Sequence, residues 1–170
     1  MRRKKGSTLA ELVVVMAVVS IVSTMVVTFT TLVNGWITVG TARYYYSQSE
    51  RLVSDDLRIF SSRYDTSEYT LSCSEGGTAL NAYNNESGEL EGSLSFSSGV
   101  LNYRAGDVNL DEQLDHIVGM HFSILKGQND ENSLIICRIT YSLPIPSSES
   151  VVEKGNSVLS IALRAAGGEK

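Results

Sequence analysis
RRKKGSTLAELVVVMAVVSIVSTMVVTFTTLVNGWITVGTA, residues 2–42, decides how the rest of the chain is read. Four cations and a glycine come first, then four uncharged residues and a single acid, Glu11. Behind Glu11 lie 31 consecutive uncharged residues, Leu12 to Ala42. The part from Leu12 to Val33 has 22 residues, which at about 1.5 Å per residue matches the roughly 30 Å hydrocarbon core of a bilayer. A removed secretory signal has an apolar region of about 7–15 residues and ends in a small-residue cleavage site. Here the small residue, Gly6, stands ahead of the apolar run, which argues for a retained membrane helix.

The remaining charge is distributed unevenly. The formal net charge of −5 conceals the cluster Arg2, Arg3, Lys4 and Lys5; setting it aside leaves ten basic against nineteen acidic residues. A soluble part at −9 repels nucleic acid and anionic headgroups, so no direct nucleic-acid binding is expected of it.

The segment Lys4-Lys5-Gly6-Ser7-Thr8-Leu9-Ala10-Glu11-Leu12 resembles the N-terminal motif of type IV prepilins and type II secretion pseudopilins. The resemblance implies a prepilin leader, residues 1–6, removed by a membrane-embedded prepilin peptidase between Gly6 and Ser7, with N-methylation of Ser7. It implies that Glu11 then pairs with the Ser7 amine of a neighbouring subunit. Ser7 stands where the family usually has Phe, and Thr28 where many members have a helix-kinking Pro. An unkinked anchor helix follows from the second departure.

Beyond Trp36, Val39, Ala42, Tyr46, Ser49, Val53, Leu57 and Phe60 recur at spacings of three and four with charges between them, an amphipathic helical face. No Pro precedes Pro144, and Gly35 and Gly40 alone weaken the pattern. One helix of about fifty residues is therefore expected: an apolar segment, 7–35, and an amphipathic continuation, 36–60. Residues 61–170 read as a β-rich extracytoplasmic domain. Ser72 to Gly77 and Asn84 to Gly92 read as loops. Leu94 to Phe96 and Val100 to Tyr103 flank Ser97-Ser98-Gly99 as a hairpin. Segments around Val118–Ile124, Ile135–Leu143 and Leu159–Leu163 alternate in polarity as strands do. An antiparallel sheet with one apolar face needs a cover, and the amphipathic half of the helix is the one available. The fold class expected is α+β, and the resemblance implies the same pilin-like architecture.

Little in the domain points to chemistry. Asp115-His116 lacks any Gly-x-Ser-x-Gly to locate a nucleophile, and His116 and His121, five apart on a predicted strand, face opposite ways. Asp107, Asn109 and Asp111 have the opening spacing of a calcium loop, but Glu112 stands where a Gly is needed and Val118 where a bidentate Glu is needed. Some pseudopilins hold calcium near their sheet, so by resemblance this trio is the candidate metal site; otherwise no cofactor is expected. Cys73 and Cys137 are a candidate disulfide in an exported domain, with two free buried thiols as the alternative.

The reading is a non-enzymatic subunit, minor pilin or pseudopilin, of a type IV pilus, type II secretion or DNA-uptake filament. The implied partners are other pilin or pseudopilin subunits, the prepilin peptidase, an assembly-platform membrane protein and the lipid bilayer. The chain is placed in the inner membrane as a single-pass protein with its C-terminal domain outside, and in a surface or periplasmic filament once assembled. The competing reading is a signal-anchored monomer whose outer domain binds a ligand.

Overall fold
The computed structural model describes residues 9–126, 133–145 and 148–163. A single helix, α1 (Leu9–Tyr64), is followed by eight strands: β1 (Tyr69–Cys73), β2 (Ala79–Asn84), β3 (Leu90–Ser97), β4 (Val100–Ala105), β5 (Val108–Gln113), β6 (Ile117–Lys126), β7 (Ser133–Ile145) and β8 (Ser148–Ala162). At 56 residues, α1 is about 84 Å long.

Its first half is rich in Val, Ile and Thr, which form helices poorly in water because their branched side chains crowd the preceding turn. Three hydroxyls in this half form a ladder back along the helix. Ser20 donates to the Met16 carbonyl at 2.8 Å, Thr24 to Ser20 and Thr28 to Thr24, each at 2.9 Å. Thr30, Thr31 and Thr38 do the same one turn back. A hydroxyl satisfied within its own helix can face lipid without leaving a polar group unpaired. The helix is unbroken through Thr28.

The second half carries the domain. Ala42, Ser49, Val53, Leu57, Phe60, Ser61 and Tyr64 are its buried residues, all on one face. Val53, Leu57 and Phe60 have no exposed surface, and they meet Leu80, Leu94, Leu101, Ile135 and Ile139 in one core. Burial of such side chains contributes about 1.5–3 kcal/mol each. At its proximal end the helix is tied to β7 and β8. Tyr46 packs on Tyr141 with ring centroids 4.5 Å apart and donates a hydrogen bond to Ser157 Oγ at 3.0 Å. Arg43 lies 3.9 Å from Glu153.

The strands form two antiparallel sheets where one was expected, a meander β1-β2-β3-β4-β5 and a three-stranded β6-β7-β8. The break falls at the β1–β2 turn. Gly77, at φ 64°, offers its carbonyl to the Phe122 amide at 2.6 Å, so the turn covers the outer edge of β6 in place of a ladder strand. The ring of His121 lies against Gly77 where any Cβ would collide. The hairpin around Ser98-Gly99 is present, with φ of 52° and 82° at its two turn residues, the signs a two-residue primed turn requires.

Two expectations need correction here. Residues 107–111, which hold the candidate calcium trio, run mostly in strand β5, where Asn109 and Asp111 alternate with Val108 and Leu110. An extended backbone spaces them apart instead of curling them around an ion. The cysteines are also separate. Cys137 is a fully buried free thiol on central strand β7, paired in register with Phe122 and Leu159. Cys73 is a half-buried free thiol on β1 of the other sheet, opposite Leu80. Strand β6 stands between β7 and the first sheet, so the candidate bond is not formed.

Candidate assembly site
Leu9 opens the described helix, and Glu11 is the acid of its first turn, exposed and immediately ahead of the apolar run. A negative charge there faces the positive end of the helix dipole. Gly6 and Ser7, the expected cleavage junction, lie outside the described residues. From Leu9 to Asn34 every residue is exposed, among them Met16, Ile21, Met25, Phe29 and Leu32. The domain touches none of this length; the first buried side chain is Ala42. Among the described residues, this is the one helix long and apolar enough to cross a membrane.

Such a rod has two functions physically open to it. In a bilayer it removes its apolar surface from water; in an assembly it packs against copies of itself. Its polar groups suit both, since the hydroxyl ladder is internally satisfied and Glu11 is the one charge in the segment from Leu9 to Ala42.

Among the described residues of the domain, the groups that the sequence offered for chemistry are not gathered at one place. His116 sits in the left-handed region at φ 63° just before β6, and its carbonyl accepts the Ser142 amide at 2.9 Å. His121 is exposed on β6 against Gly77, so the two imidazoles are not brought together. No group of three or more His, Cys, Asp or Glu among the described residues could hold a metal ion. Burial pushes the Cys137 thiol up to about 12, which keeps it protonated and unreactive. A cavity of about 240 Å³ opens at the end of α1 remote from the apolar segment, lined by Tyr64, Asp65, Tyr69, Ile124, Lys126 and Ser133 among others. Tyr64 and Tyr69 meet edge to face at 5.0 Å on its wall.

The sequence reading missed one electrostatic feature. Asp56 on α1 and Glu112 on β5 each bury one carboxylate oxygen without a hydrogen-bond partner. Desolvation first, then the charges of Glu112 and Asp55, push the Asp56 carboxyl up to about 6. Nothing in the local sequence brings these residues together. The contact depends on β5 lying beside the helix, and β5 was not among the strands expected from the sequence.

No curated protein and no solved structure matches the chain. Residues 1–27 match the model of the prokaryotic N-terminal methylation motif, the signature of type IV pilins and pseudopilins, and with the bare apolar helix this fits a pilin-type structural subunit anchored in a membrane.

Proposed function
We propose that the chain is a minor pilin or pseudopilin of a type IV pilus, type II secretion or DNA-uptake filament. It is cut between Gly6 and Ser7 by prepilin peptidase, methylated on Ser7 and delivered to an assembly-platform membrane protein. The carrying observation is the apolar length of α1 that the domain leaves wholly uncovered, most of it within the matched methylation motif. A signal-anchored monomer would need the same length for the bilayer but could keep its leader. A filament subunit must lose residues 1–6, because four cations cannot be packed among apolar helices without a large desolvation cost.

Assembly assigns Glu11 a role that anchoring does not. In a packed bundle its carboxylate pairs with the Ser7 amine of a neighbour and sets the register between them. Glu11→Gln keeps size and polarity but leaves the amine unpaired. Losing one partner of a buried ion pair costs about 3–5 kcal/mol, so incorporation should fall by more than about tenfold. The check is to express both forms with the assembly machinery and compare sheared-filament fractions at matched membrane levels. Equal incorporation of the Gln variant would remove the pairing role.

A further inference from the structure
Along one margin of the domain, α1 fails to cover the inner face of the last strand of its sheet. Val108, Leu110 and Glu112 share that face, since their partners across β4 are the buried Ala105, Tyr103 and Leu101. Even so, Val108 is 43% and Leu110 48% exposed. The helix passes β5 in the opposite sense: Ser49 Oγ accepts the Asp115 amide at 2.9 Å, Asp56 feels the charge of Glu112, and Arg63 reaches Gly106. That order puts Ile59, 55% exposed, opposite Leu110. The margin is thus apolar along its middle, with Asp55, Asp56 and Glu112 on its proximal side and Arg63 at its far end.

The outer face of the second sheet has the converse character. His121, Arg138 and Val158 form one row across β6, β7 and β8, with Lys154 farther along β8. Val118 and Val158 are 57% and 59% exposed. Among outward-facing residues of these strands whose side chains are described, none is a carboxylate, in a chain that carries −9 beyond its leader cations. Each surface therefore combines exposed apolar side chains with charge of one dominant sign, and the signs are opposite.

We propose that the α1–β5 margin of one copy docks on the outer face of β6–β7–β8 of the next. The inference rests on the reading of the chain as a filament subunit and adds the contact made by its outer domain. Opposite charge orients the encounter, and removal of the exposed valines, Leu110 and Ile59 from water supplies affinity. Because the two surfaces differ, the contact is heterologous: each added copy presents a free margin and a free face, so the same contact can repeat from copy to copy along a filament.

The test uses the full chain expressed with its assembly machinery. Leu110→Cys and Val158→Cys are placed on one chain, and sheared filaments are treated with a short bis-maleimide. A ladder of covalent multimers that needs both substitutions is expected. In parallel, the exposed Asp55→Lys and Arg138→Glu should each lower incorporation about tenfold, and the two combined should recover most of it. If the unsubstituted chain enters filaments while the double-cysteine chain gives no ladder, or cross-links only to a different protein, the contact is overturned and the subunit reading stands. Incorporation unaffected by either charge reversal overturns it likewise. If the unsubstituted chain never enters filaments, the subunit reading fails first and the contact with it.

Discussion
Asp56 and Glu112 each keep one carboxylate oxygen out of water with no donor to meet it, and the cost falls on the ionised pair. With its carboxyl pushed up to about 6 in the folded state, against 3.8 in the unfolded chain, Asp56 binds a proton more readily when folded. Its contribution to stability therefore rises as pH falls from about 6 toward 3.8, and at neutral pH the ionised pair is destabilising. Asp56→Asn removes the charge and supplies an amide donor for Glu112. Discounted for the half-exposure of the site, it should stabilise the domain by about 1 kcal/mol at pH 7.5 and by nothing measurable near pH 4. Thermal or urea unfolding of both forms across that range would show it, and an unchanged difference between the two pH values would contradict it.

Among the elements, α1 was the most legible, because the absence of Pro from Ser7 to Phe60 and the three-and-four spacing of Val53, Leu57 and Phe60 are local signals. It runs four residues past Phe60, to Tyr64. There the Tyr64 ring turns onto the first sheet and its hydroxyl donates to the Glu91 carbonyl at 2.9 Å. The β6, β7 and β8 segments alternate strongly and were also read correctly as strands. Strand β2 was not anticipated. Its Leu80 and Ala82 are fully buried, but Asn81 and Asn84 give it the composition of a loop. Strand β5 was not anticipated either, because its polar and acidic residues are mostly exposed and its one paired neighbour is β4. The division into two sheets depends on the Gly77 turn covering β6, a long-range contact that no periodicity encodes.

One close approach makes the joint between α1 and the first sheet testable at this scale. A Cβ at Gly92 would lie 2.5 Å from the Tyr64 ring, and the same ring packs on Phe60 at 4.9 Å. Gly92→Ala must push Tyr64 off the sheet or bend β3, and overpacking of this kind costs about 1–3 kcal/mol. Gly76→Ala is the comparison for backbone effects, since Gly76, like Gly92, is not at positive φ and an added Cβ there would meet nothing nearer than Thr78 at 3.9 Å. Urea unfolding should show Gly92→Ala destabilised with the steric loss described; an unchanged midpoint would mean Tyr64 does not seal this joint.

At the scale of the whole molecule, one helix serves two environments. Its distal half gives the core its central face, and its proximal half is bare of protein from Leu9 to Asn34. The methylation motif was legible because it is local: cations, Gly6, Ser7 and Glu11 stand within ten positions of one another. The uncovered α1–β5 margin and the basic outer sheet face were not, because each is assembled from residues far apart in the chain. The central claim is that this helix becomes a filament element once the leader is gone. Intact mass and N-terminal sequencing of the chain purified from a host with prepilin peptidase test it most directly. The account predicts a mature protein that begins at Ser7, lacks residues 1–6 and carries one added methyl on its amine; a chain still beginning at Met1, or one cut between Ser20 and Gly40, would contradict it.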